Sequence, residues 1–210
     1  MKFFTIALIM LSESKKRAHI FLTGYTLRSI ECFDLVEDND FVITTNLGPL
    51  HDFVSSRANA YFLPTNGNIK YKKISELSLE IAVTNCNDDC VFYVKKSVVY
   101  YLLGRDPVPQ MICRSDLIPF FSRLDRFKTN TLYQIFRNLE NFDEVFLWGA
   151  DYALKKPISG HFYEKKWSYN NPPNPDFELH TRIKSEFKGK VYHICPSENA
   201  SAFYESVYLP

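Results

Sequence analysis

The stretch "FDEVFLWGADYALKKPISGHFY", Phe142 to Tyr163, decides the fold. Glu144 to Trp148 is an apolar run of strand length, too short for a buried helix, and it ends in the turn-forming Gly149-Ala150-Asp151. Upstream, Leu132, Ile135, Phe136 and Leu139 recur on one face at helical spacing. Thr131 and Gln134 give the T-x-x-Q spacing of a capping box at the start of that helix, and Asn141 closes it. Downstream, Asp176 to Phe187 reads as a second helix with Leu179, Ile183 and Phe187 as its buried stripe. Gly189 stands where a left-handed cap belongs, and the strand Val191 to Ile194 follows, ending at Cys195-Pro196-Ser197. Strand, loop, helix and strand in that order imply a right-handed parallel crossover.

Working towards the N-terminus, "HIFLT" (His19 to Thr23) reads as a strand closed by Gly24, and "FVITT" (Phe41 to Thr45) as one ending at Asn46. Ala60 to Leu63 is a third, stopped by Pro64, and Leu79 to Thr84 and Val91 to Val94 are further strand candidates. Val98 to Leu103 fits strand or helix. The alternation implies an α/β fold: a Rossmann-like, mostly parallel sheet with helices on both faces. Ligands of such sheets bind beyond the carboxyl ends of the strands. That rule sets Gly24, Asn46, Pro64, Asp151 and the Cys195-Pro196-Ser197 turn on one rim, with His161 on the loop that leaves it.

Composition narrows the function classes. A chain of 210 residues, 46% of them hydrophobic, suits one globular domain with a sizeable core. Its 16% aromatic content is mainly core area. A net charge of +1 argues against a nucleic-acid partner, and the runs Lys15-Lys16-Arg17, Lys70 to Lys73 and Lys165-Lys166 read as solvated surface. Five cysteines in no regular framework, with Cys86 and Cys90 as a lone C-x3-C, favour reduced thiols in a cytoplasmic protein over a disulfide scaffold or a zinc site. Lys2 and the apolar Phe3 to Leu11 imitate a signal segment but are not followed by a small-x-small cleavage site. They read as a buried strand or an extension, with peripheral contact at the inner membrane as the alternative. Asp38-Asn39-Asp40 has the letters of a metal-binding Asp-x-Asp, yet it precedes a strand instead of ending one, as does Asp88-Asp89. No metal and no resident cofactor are expected.

The residues Phe142 to Tyr163 resemble the core of the bacterial sialyltransferases of glycosyltransferase family 42 and their wider relatives. A strand ending in Gly-x-Asp (Gly149, Asp151) and a downstream His-aromatic-Tyr (His161, Phe162, Tyr163) carry the resemblance. "KVYHICPSENASAFYESVYLP" resembles the closing strand of that family, and His19 to Asn46 its opening strand, loop and second strand. The chain departs from the family in having Gly24-Tyr25-Thr26-Leu27 where a loop with paired glycines is usual. Its lid, residues 152–175, is short and holds one tyrosine, Tyr152, before the histidine.

The resemblance implies a variant GT-A fold and one domain over residues 1–210. It also implies metal-independent, inverting transfer of an acidic sugar from a CMP-sugar donor to a glycan acceptor of the cell surface, as in lipopolysaccharide or capsule synthesis. His161 suits the base, since imidazole is the side chain that titrates near neutral pH. Asp151 would orient it or bind a sugar hydroxyl; Tyr152 and Tyr163 would donate phenolic hydrogen bonds to the leaving phosphate. Gly24 and Asn46 on the rim, Thr129 and Asn130 before a helix start, and Ser197 would hold the donor. Each also has a plain structural reading as turn, cap or packed ring. No comparable setting surrounds His19, His51, His180 or His193. The missing glycines equally suit a degenerate domain that binds nucleotide or glycan without catalysis. The wider resemblance also admits a nucleotide-dependent pyrophosphokinase, which would need Mg²⁺.

Overall fold

The computed structural model describes residues 15–63, 69–94, 130–158, 160–163, 176–196 and 198–209, with backbone alone at 69–76 and 94. Its frame is a seven-stranded sheet. The strands are β1 (Arg17–Phe21), β2 (Phe41–Thr45), β3 (Ala60–Leu63), β4 (Val91–Val94), β5 (Glu144–Trp148), β6 (Lys190–Cys195) and β7 (Glu205–Tyr208). They lie in the order β4-β3-β2-β1-β5-β6-β7, and every neighbouring pair is parallel. The chain leaves β1 to one side and later returns to its other side with β5. The β1–β5 boundary is therefore a topological switch point, the place where such sheets form a ligand crevice.

Among the described residues four helices cover the sheet: α1 (Asp52–Arg57), α2 (Ile69–Asn85), α3 (Thr131–Phe136) and α4 (Phe177–Glu186). Alternate side chains of the central strands feed two layers, because successive residues of a strand face opposite sides. Ala18, Ile20, Ile43, Val145 and Leu147 pack against Leu132, Ile135 and Phe136 of α3 and Leu179 and Ile183 of α4. On the other face Phe21, Val42, Phe146 and Trp148 pack against Leu27 and Val54, and Tyr61 and Leu63 against Leu79 and Ala82 of α2. The sheet is thus covered on both sides, as the sequence pattern implies.

Several sequence expectations are corrected. Leu79 to Thr84 lies inside α2, and its buried residues Leu79 and Ala82 are three apart, a helical spacing. β1 begins two residues earlier than "HIFLT". Arg17 is not solvated surface: its guanidinium bonds the Leu35 carbonyl at 2.7 Å, pairs with Glu37 and lies 5.1 Å from the centre of the Phe146 ring. The cap of α3 is Asn130, whose side chain accepts from the Tyr133 amide at 3.3 Å, and the helix stops at Phe136. Gly189 is not among the left-handed residues. It is needed for space, since a Cβ there would fall 2.6 Å from the Asp143 carbonyl oxygen. Met1 to Leu11, Pro64, Val98 to Leu103 and Asn170 to Pro175 lie outside the described residues, and among the described ones no helix is long and apolar enough to cross a membrane.

In the middle of β1, His19 is fully buried between two partners. Its Nε2 is 2.9 Å from an Asp40 oxygen, and Trp148 Nε1–H donates to its Nδ1 at 3.0 Å. The Trp148 donor fixes the tautomer with the proton on Nε2. Asp40, of the Asp-x-Asp letters, also accepts from the Glu37 amide at 2.8 Å, so its carboxylate serves the strand start at the far end from the rim. The four described cysteines are free thiols, and Cys86 and Cys90 pack together beside α2.

Candidate active site

Three loops at the carboxyl ends of β1, β2 and β5 meet at the switch point. The Leu22 amide donates to the Trp148 carbonyl at 2.9 Å, and the Gly24 amide to the Gly149 carbonyl at 3.0 Å, so β1 and β5 run on as a pair beyond their strands. Both glycines are sterically required. Gly149 has φ 63°, and a Cβ on Gly24 would press on the Gly149 carbonyl and fall 2.6 Å from the Asp151 carboxyl. Asn46, at the end of β2, has φ 49°, a left-handed conformation that asparagine tolerates best among non-glycine residues. Its carbonyl accepts from the buried Tyr61 hydroxyl at 2.9 Å.

Asp151 sits in a 3-10 turn, Asp151–Ala153, and is 1% exposed. Its carboxylate accepts from the Thr26 hydroxyl and, at 3.0 Å, from the Thr26 amide. Burial pushes its pKa up, against the hydrogen bonds from Thr26 and the Tyr25 amide that favour the charged form. Asp151 therefore clamps the glycine-poor loop after β1 from beneath. The sequence reading gives it two roles, orienting His161 or binding a sugar hydroxyl; its described hydrogen bonds come from Thr26 and the Tyr25 amide, and His161 lies near enough to act on its charge.

The partner that orients His161 is Thr23. Gly24 and His161 form an antiparallel bridge, and the Thr23 carbonyl accepts from the Phe162 amide at 3.2 Å. The same carbonyl lies 3.2 Å from His161 Nδ1, and the Thr23 hydroxyl 3.0 Å from it. A carbonyl can only accept, so Nδ1 carries the proton and Nε2 the lone pair. Tyr163 stacks on the imidazole, with centroids 5.1 Å apart and planes at 7°.

These loops face the amino ends of α3 and α4 across a cleft of about 290 Å³. Thr23, Gly24, Asn46 and Gly149 line one side; Asn130, Thr131, Tyr152, Asp176 and His180 complete it, and His161 stands at the same opening. Of the sequence candidates, Gly24, Asn46, Asn130, Tyr152 and His161 thus share one cleft. Asp151 lies beneath it, Tyr163 stacks behind the histidine, and Thr129 and Ser197 fall outside the described residues. The Cys195-Pro196 turn, expected on this rim, opens on a separate hollow of about 510 Å³ lined also by Thr26 and Leu209. Of residues 152–175, read as a lid, 152–158 and 160–163 are described. The first of these are tied down: Lys155 N–H donates to the Ala200 carbonyl at 2.8 Å and Lys156 N–H to the Asn199 side chain at 3.0 Å.

Sequence reasoning missed Thr23, Thr26 and His180. Thr23 and Thr26 flank Gly24, so hydroxyls beside a rim glycine were the available signal. His180 is one residue from the apolar stripe of α4, which placed it near the inward face.

The fold is similar to that of solved structures. The chain is similar to the sialyltransferase CstII from Campylobacter jejuni in complex with a substrate analogue, cytidine-5'-monophosphate (TM-score 0.54, 16% identity, 91% of this chain and 84% of that one). It is similar to the same degree to sialyltransferase CST-II in complex with a trisaccharide acceptor and CMP (TM-score 0.54, 16% identity, 91% and 86%). The chain has a sialyltransferase-like fold. No protein-family model matches it, and no curated protein matches it by sequence. In this sialyltransferase-like fold the likeness covers 91% of the chain, and the cleft sits at the switch point of the sheet.

Proposed function

We propose that the protein is a sialyltransferase-like glycosyltransferase, allied to family 42, that moves an acidic sugar from a CMP-sugar donor to a surface glycan with inversion. The observation that carries the reading is the gathering of Asn46, Asn130, Tyr152 and His161 on one cleft at the switch point of a sialyltransferase-like fold. Transfer needs a base for the acceptor hydroxyl, hydrogen-bond donors for the leaving phosphate, and an aligned anomeric carbon. With Nδ1–H held by Thr23, His161 Nε2 takes the acceptor proton. The freed oxygen forms its bond to the anomeric carbon opposite the phosphate, the bond from that carbon to the phosphate oxygen breaks, and CMP departs with the electron pair. Tyr152, 42% exposed at the cleft, offers its phenol to that phosphate, and the asparagine amides hold the nucleotide. The reaction is written without a resident metal, the phosphate charge being met by hydrogen-bond donors.

One observation favours the rival reading, a domain that binds without catalysis. The Tyr25 and Thr26 amides, which a phosphate-binding loop would direct at the donor, are taken by Asp151. Thermal denaturation with CMP tests the site itself. A ligand at about 100 times its Kd stabilises by about 2.7 kcal/mol. The proposal expects a shift with CMP that Tyr152→Phe and Asn46→Ala diminish; a melting temperature indifferent to millimolar CMP contradicts it.

A further inference from the structure

The cleft contains a second imidazole for which the proposed reaction has no use. His180 lies one turn after Asp176, the N-cap of α4, and residues four apart share a helix face. Both line the cleft, and His180 is only 4% exposed. Its ring stacks on Phe203, with centroids 4.4 Å apart and planes at 18°, and its Nδ1 is 2.7 Å from the Tyr204 hydroxyl. That hydroxyl has no other hydrogen-bond partner among the described residues, so its proton is satisfied only by donation to Nδ1. The proton of the neutral ring then sits on Nε2. Burial pushes the His180 pKa down to about 4 and the Tyr204 phenol up, so both stay uncharged at neutral pH.

Beside this neutral N–H donor stands a carboxylate, Asp176, one oxygen of which accepts from the Leu179 amide at 3.1 Å. An acceptor-only group next to a neutral donor repels phosphate and carboxylate ligands. It suits hydroxyls, each of which both donates and accepts. We propose that the Asp176–His180 end of the cleft is a subsite for the hydroxyls of a sugar ring, His180 Nε2–H donating to a hydroxyl oxygen. The subsite rests on the glycosyl-transfer reading. The ring belongs to the donor, met by its hydroxyl-bearing side and not its carboxylate, or to the terminal residue of the acceptor.

Calorimetric titration of the full chain with CMP, CMP-N-acetylneuraminate and lactose separates the cases. In His180→Phe, CMP affinity stays as in the wild type, while one of the two sugar ligands binds about tenfold more weakly, the cost of one lost hydrogen bond. Loss with CMP-N-acetylneuraminate assigns the subsite to the donor, loss with lactose to the acceptor. Tyr204→Phe, which releases the tautomer, weakens the same ligand by a smaller factor, and it decides by the same criterion if His180→Phe does not fold. Unchanged sugar affinities, or a parallel fall for CMP, overturn the subsite and leave the nucleotide site standing. Wild-type protein that binds none of the three overturns the glycosyl-transfer reading and the subsite together.

Discussion

Asn46 joins a backbone role to the ligand role proposed for it. Its left-handed φ of 49° turns the chain sharply after β2 and brings its side chain to the cleft. Glycine reaches that conformation without a Cβ penalty, whereas a leucine would pay about 1–2 kcal/mol. Asn46→Gly is therefore expected to raise stability by a few tenths of a kcal/mol while weakening CMP binding. Opposite signs in a melting curve and a titration would mark a position kept for its side chain. A fall in both would mean that the amide supports only the turn. From the sequence, Asn46 was visible as a turn residue at a strand end, and His161 as a histidine set after a glycine. The direction of the imidazole was not legible, because it depends on Thr23, 138 positions away, through a bridge that only the folded chain creates.

At the scale of elements, the strands that the sequence marks clearly are those of continuous β-branched and aromatic residues, β2, β3, β4 and β5, whose limits agree with the structure. Those it blurs are edges and exceptions. β7 is half-buried at the sheet edge and carries Glu205 and Ser206, so its pattern is weak. Arg17 opens β1 with a charge that looks solvated until Glu37 and Asp40 are packed beside it. The segment Leu79 to Thr84 is rich in β-formers, yet α2 wins because its buried side chains repeat every third residue. The loops after β1 and β5 approach each other closely. Gly24→Ala sets a Cβ against the Gly149 carbonyl and Asp151, both fixed by hydrogen bonds, so overpacking should cost 1–3 kcal/mol. Urea denaturation would measure it, and the loss of CMP affinity should exceed the loss of stability, because Thr23 and its hold on His161 move with Gly24.

Over the whole molecule, three buried imidazoles tie stability to pH. Burial holds His19, His180 and His193 down to about 4, from an ordinary 6.5. Between those values the unfolded chain binds the extra protons, so stability is complete above pH 6.5 and falls as acid is added. Each such group removes up to about 1.4 kcal/mol per pH unit inside the window. His193 is 1% exposed, and neither ring nitrogen has a hydrogen-bond partner among the described residues, so His193→Leu should add about 1 kcal/mol at neutral pH and flatten the acid slope. Denaturation midpoints at pH 7 and pH 5 test both statements, and a slope untouched by the substitution would count against them. The cleft lies at the switch point of the sheet, and turnover tests the chemistry proposed there most directly. Purified protein is incubated with CMP-N-acetylneuraminate, and released CMP is measured for wild type and His161→Ala. A base of this kind contributes about 10²–10⁴-fold, so release should fall at least a hundredfold in the variant. Release that persists unchanged in His161→Ala, or its absence from the wild type, would contradict the account.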